Sequence, residues 1–262
     1  MSDTALTVIG MSFIFVMTTA GSSIVYFFKN QISEKANTLF LGFASGIMIA
    51  ASVWSLLIPA IEQASAKSGK LGFLPVAIGF IVGGLFLVAL DYTVPHMHAR
   101  GEEEGPRVSV KKSVKLFLAV TIHNIPEGLA VGFAFGAAAA MADHSAYISA
   151  LGLAIGIGVQ NFPEGAAVSL PLKTETGSKN KAFLYGMGSG AVEPVFAVIG
   201  FFLASALTSL QPWLMAFAAG AMIFVVAEDL IPDAKLETNP HLGTWGVMAG
   251  FVGMMILGGA LG

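Results

Sequence analysis

The chain has 262 residues, 55% of them hydrophobic and 11% charged, with a formal net charge of −3 and a mean hydropathy of +0.79. Those proportions argue against an ordinary soluble domain and for a polytopic membrane protein; no nucleic-acid partner is expected. Cysteine is absent, which removes disulfides, thiolate metal sites and a cysteine nucleophile, and leaves N and O ligands, with methionine as an addition, for any metal.

Eight apolar segments follow one another near 6–28, 36–62, 71–95, 113–138, 145–171, 183–208, 211–235 and 243–261, each long enough for a hydrocarbon core of ~30 Å. The expected fold is therefore an all-α, polytopic membrane helix bundle of about eight transmembrane helices. The first segment lacks a basic leader and a small-residue cleavage site, so it reads as a retained helix. Charged or turn-forming residues separate the segments, as at Lys29-Asn30, Asp143-His144, Gln211-Pro212 and Asn239-Pro240. With the N-terminus outside, eleven of the thirteen Lys and Arg residues fall on inner loops and their flanks. The positive-inside rule then puts both termini outside and the loop of about 96–112 in the cytoplasm of a multi-pass protein of the cell (inner) membrane.

In the second segment Met48 and Ser52 are pathway candidates, against the alternative of core packing, since methionine is a common gap filler. The third segment ends at Asp91, and His96 and His98 follow it; with Glu228 of the seventh they could receive a cation leaving the bundle, or stand as solvated residues. Glu102-Glu103-Glu104 reads as a solvated charge run. Glycines four apart, among them Gly42/Gly46, Gly79/Gly83 and Gly246/Gly250, suit close helix packing within one bundle or a dimer face.

The fourth and fifth segments carry near-copies of one hexapeptide, His123-Asn124-Ile125-Pro126-Glu127-Gly128 and Gln160-Asn161-Phe162-Pro163-Glu164-Gly165. His123 and Glu127, like Gln160 and Glu164, are i,i+4, so each motif turns its polar groups to one helix face. At ~1.5 Å per residue both motifs, and Glu193 of the sixth segment, come near the membrane midplane. Pro126 and Pro163 free the carbonyls of Ile122 and Val159, which predicts kinked fourth and fifth helices lining a cavity. Carboxylates gathered there repel one another, and a divalent cation relieves that cost. Imidazole with carboxylate and amide oxygens suits Zn²⁺, Fe²⁺, Mn²⁺, Co²⁺ or Cd²⁺ better than Mg²⁺ or Ca²⁺.

The paired motifs resemble those of the ZIP (Zrt/Irt-like) divalent metal transporters, and the flanking sequence is similar to their prokaryotic GufA-type branch. The resemblance extends over nearly the whole of residues 1–262, read as a single transmembrane domain, and includes Gly42 to Gly46, Ser52 to Ala60 and the stretch from Ala219 to Pro232. It implies import of divalent metal, zinc first, toward the cytoplasm through a centre between helices 4 and 5. His123, Glu127, Gln160 and Glu164 would hold one metal, and Asn124, Asn161 and Glu193 would complete a second position. Many eukaryotic members carry histidines in the fifth-span motif, and some prokaryotic ones have Asp at the position of Asn161, so one or two metals remain open. The homodimer is an expectation by analogy alone. No catalytic cofactor is expected, and an intramembrane metalloprotease is disfavoured because H-E-x-x-H is absent. The competing reading is a carrier or channel for protons or another ion that uses the buried glutamates as a relay.

Overall fold

The computed structural model describes residues 1–28, 33–97, 103–234 and 240–261. Among the described residues eight helices are long and apolar enough to cross a membrane: α1 Asp3–Tyr26, α2 Glu34–Leu71, α3 Phe73–Thr93, α4 Lys112–Met141, α5 His144–Thr176, α6 Lys179–Ala206, α7 Gln211–Asp233 and α8 His241–Leu261. Starts are marked by capping side chains. Ser2, Ser33 and Ser178 accept backbone N–H groups of α1, α2 and α6, satisfying donors the first turn leaves open. Asp143 does the same for α5; its bonds from the Ser145 hydroxyl and N–H hold its carboxyl below the usual carboxylate range. Both α4 and α5 run on through their internal prolines.

Among the described residues two short strands occupy the connection between α3 and α4. β1 (His96–Met97) pairs antiparallel with β2 (Glu103–Glu104), with His96 opposite Glu104 and Met97 opposite Glu103. The connection thus carries a strand pairing where the sequence reads as loop.

The closest helix pairs are α4 with α6, α2 with α8, α1 with α5, and α3 with α7. Glycine permits all four of these approaches. A Cβ on Gly46 would fall on the Val247 carbonyl of α8, and one on Gly220 would fall on the Phe80 carbonyl of α3. Without dense packing of this kind, helices in lipid have little to hold them together.

An internal symmetry relates those pairs. Phe43-Ala44-Ser45-Gly46-Ile47-Met48-Ile49 of α2 returns in α7 as Phe217-Ala218-Ala219-Gly220-Ala221-Met222-Ile223. Each copy leads into a π-helical turn, Ser52–Leu57 in α2 and Val226–Leu230 in α7, and Pro59 or Pro232 follows. The first turn has six residues and the second five, which accounts for the one-residue difference in spacing to the proline. Exchanging α1 with α6, α2 with α7, α3 with α8 and α4 with α5 maps every close pair onto another. Each exchange joins an odd span to an even one, so the halves are inverted, an architecture that places binding sites at the interface of the repeats. Gly165 abuts the Thr18 carbonyl as Gly128 abuts that of Glu193, so Thr18 and Glu193 are counterparts on α1 and α6. They also touch each other, which puts the pseudo-two-fold axis between them.

Candidate metal centre

On that axis the two hexapeptides face each other. Gln160 Nε2 donates to Glu127 Oε1 at 2.6 Å, joining α5 to α4, and lies 3.3 Å from Asn161 Oδ1. Asn124 Nδ2 donates to the Ser189 carbonyl at 2.9 Å and ties α4 to α6. Glu193 Oε1 accepts the Thr18 hydroxyl at 2.6 Å. The charges of Glu164 and Glu193 act on Glu127, and His123 acts on Glu164. Asn161 lies toward both Glu127 and Glu193, yet among the described residues its Nδ2 makes no well-formed hydrogen bond. The seven residues singled out in sequence for this centre are therefore neighbours where α4, α5 and α6 meet. Asn124, Glu127, Gln160, Asn161 and Glu193 are buried, while His123 and Glu164 are partly exposed.

Four buried oxygens in this cluster have no hydrogen-bond partner among the described residues: Glu127 Oε2, Gln160 Oε1, Glu164 Oε1 and Glu193 Oε2. Leaving such a group unsatisfied costs about 1–3 kcal/mol, and more when it is charged. One cation among them would satisfy several at once. With the imidazole of His123 at the edge, the donor set is mixed N and O, the chemistry of zinc and its neighbours rather than of calcium or magnesium.

Two contacts were not anticipated from sequence. His123 Nε2 lies 3.0 Å from Asp229 Oδ2, so the buried acid on the π-helical turn of α7 faces the centre, while the adjacent Glu228 is exposed. Thr18, 175 residues from Glu193, had no signal of its own except its place in the internal repeat. Met48 is wholly buried in the apolar core, and Ser52, at the start of the α2 π-turn, is buried with a hydroxyl that has no hydrogen-bond partner among the described residues. Asp91 and His96 come together at the end of α3, joined by Glu104 rather than by Glu228. His98 lies outside the described residues.

A family model described as ZIP Zinc transporter matches residues 98–258. The zinc transporter ZIP11 of Homo sapiens is 36% identical over 97% of this chain and 96% of its own length. The zinc transporter GufA of Myxococcus xanthus is 37% identical over 89% of this chain and 90% of its own. For the zinc transporter ZIPB of Bordetella bronchiseptica the figures are 36%, 88% and 74%. Paired proline-glutamate motifs meeting on the axis of an eight-span inverted repeat, together with likeness along almost all of its length, make this chain a member of the ZIP zinc transporter family.

Proposed function

We propose that this protein carries zinc across the cell membrane toward the cytoplasm, with His123, Glu127, Gln160 and Glu164 as the main coordination shell. Asn124, Asn161 and Glu193 stand beside that shell and hold it in place or complete a second position. The observation that carries the reading is the set of four buried oxygens, without a hydrogen-bond partner among the described residues, gathered around the two hexapeptides. A polar network that only joined helices would satisfy its own members. The names of the relatives support zinc as the cargo, and Fe²⁺, Mn²⁺, Co²⁺ and Cd²⁺ share its ligand chemistry.

In this reading His123 links the centre to Asp229. Its Nε2 is engaged by Asp229 in the present arrangement, so the ring meets an ion either through Nδ1, with Asp229 as the outer partner of Nε2, or through Nε2 once that carboxylate is released. Asp229 then offers a departing ion its next ligand, with Glu228 beside it on the same π-helical turn, at the end of the bundle that bears most of the Lys and Arg. That basic bias supports a cytoplasmic placement of this end and outer termini in an inner membrane. The whole of residues 1–262 acts as one transmembrane unit.

Uptake of radioactive zinc into liposomes holding the purified protein tests the proposal. Wild type should show saturable uptake that Glu127→Ala and Glu164→Ala each abolish at fixed pH. No uptake by folded wild type, across several divalent ions and both directions of a pH gradient, would overturn it and favour a metal-independent proton carrier.

A further inference from the structure

Where the connection from α3 enters α4 it carries a basic run. Arg107, Lys111 and Lys112 are exposed, and among the described residues none of the three makes an ion pair or a side-chain hydrogen bond. Three other lysines at this end of the bundle are used differently. Lys115 Nζ holds Glu103 Oε2 at 2.7 Å, Lys173 Nζ donates to the Phe28 carbonyl at 2.8 Å, and Lys179 Nζ donates to the Tyr26 carbonyl at 3.2 Å. Those lysines fasten parts of the protein to one another, whereas the run before α4 offers its charge outward.

Its place, its apolar neighbours and its lack of opposing acid define the partner. The 30 residues of α4 extend over about 45 Å, the full thickness of a bilayer with its headgroups, so the first turn stands at headgroup level. Val108 and Val110 lie between the cations and are 43% and 39% exposed. Apolar side chains interleaved with cations suit the boundary between headgroups and acyl chains. From Gly105 to Pro126 the sequence has no Asp or Glu. The acids just before are taken up in the ribbon, Glu103 by Lys115 and Glu104 by its place opposite His96. The first turn of α4 also has no acidic residue and no capping side chain, so its open N–H groups add to the positive field.

We propose that Arg107, Lys111 and Lys112, with Val108 and Val110, form a docking surface for the headgroups of acidic phospholipids in the leaflet at this end of the bundle. Lipid phosphates meet the guanidinium and the two ammonium groups, and the valines face the acyl chains beneath them. Attraction of this kind grows with each basic residue held near an anionic surface. A lipid docked here holds the segment between β2 and α4 against the membrane. That segment runs directly into the helix that carries His123 and Glu127 farther along, so the surface couples one half of the central site to the composition of the leaflet. The inference does not depend on which ion is carried.

Ser109 lies in the middle of the run and is exposed, and the chain has no cysteine, so Ser109→Cys places a single fluorophore there. The full chain is reconstituted into phosphatidylcholine nanodiscs that contain a small share of lipid with a nitroxide on its headgroup. Replacing about a third of the phosphatidylcholine by phosphatidylglycerol should raise quenching of the fluorophore at least about twofold, and about 0.5 M NaCl should reverse the rise. Lys111→Gln combined with Lys112→Gln should cut the rise by about half or more. Lys35→Gln combined with Lys181→Gln removes the same charge from exposed positions at the same end and should leave it unchanged. All of these are surface changes, so thermal unfolding should stay that of wild type. Equal losses in the two pairs would assign the attraction to the charge of the whole end and overturn the surface, as would the absence of any rise with phosphatidylglycerol. At matched ionic strength inorganic phosphate should reverse the rise no more than chloride does. A stronger reversal would identify a site for free phosphate and overturn lipid docking. Zinc uptake is not read in this test, so its outcome and that of the transport proposal stay separate.

Discussion

In α2 the π-helical turn carries Ser52, Trp54 and Ser55, whereas the matching turn of α7 carries Glu228 and Asp229. Both turns follow the same heptapeptide and both precede a proline, so the backbone interruption is repeated while its chemistry is not. On the α2 side Ser52 is buried and the Trp54 ring packs edge-on against Phe251 with centroids 5.2 Å apart. On the α7 side Asp229 is buried against His123. In the proposed orientation the α2 turn lies in the outer half of the membrane and the α7 turn in the inner half. Symmetry thus builds the cavity, and the broken symmetry places carboxylates on one side of it. Such a bias does not set the direction of net flux, which follows the gradient; it sets where a cation is held as it passes.

The largest expected effect tests that asymmetry. Asp229→Ala removes the acid that engages His123, and zinc uptake should fall about tenfold or more, the equivalent of roughly 1.4 kcal/mol on the limiting step. Ser55→Ala, at the corresponding place in α2, should change the rate by less than about twofold. Equal losses in the two variants would mean that the chemical difference between the turns has no part in transport. The next effect tests the symmetry of the scaffold. Gly46→Ala and Gly220→Ala each push a methyl into a backbone carbonyl of the paired helix, so both should destabilise by about 1–3 kcal/mol. Thermal unfolding of the two variants in detergent checks this, and a cost confined to one of them would break the repeat as a packing unit.

Long apolar runs made the eight spans legible, and repetition made the two hexapeptides stand out. The end of α2 was less so. Its apolar run stops near Glu62, yet the α-helix continues to Ser68, because Gln63, Ala64, Ser65 and Lys67 suit a helix as well as they suit water. Apolar length reports membrane depth and not helix length. The choice between Glu228 and Asp229 was hidden for a different reason. They are adjacent, and the π-turn that contains them shifts the helical register, so a period of 3.6 residues cannot say which one faces α4. Glu104 reads as part of a solvated acidic run until strand pairing sets it beside His96. The repeat of Phe43–Ile49 in α7 was present in the sequence, but it describes an inverted architecture only once the helix pairs are known.

The smallest predicted effect lies on the axis, where the repeat sets Thr18 against Glu193. The Thr18 hydroxyl donates to Glu193 at 2.6 Å and is also 3.2 Å from the Ile14 carbonyl. Val keeps the shape of the side chain and removes the donor, so Thr18→Val leaves a second oxygen of Glu193 without a partner. A hydrogen bond to a charged group contributes about 1.5–3 kcal/mol, but this one acts on a carboxylate beside the main shell and not within it. Uptake should therefore stay saturable, with KM raised about three- to tenfold and the maximal rate little changed. Thr18→Ser should restore the wild-type value. A loss as complete as that of Glu127→Ala would place Glu193 in the main shell and make α6 as much a ligand-bearing helix as α4 and α5. A modest shift in KM, rescued by serine, would mean that the axis positions the centre while the hexapeptides hold the ion.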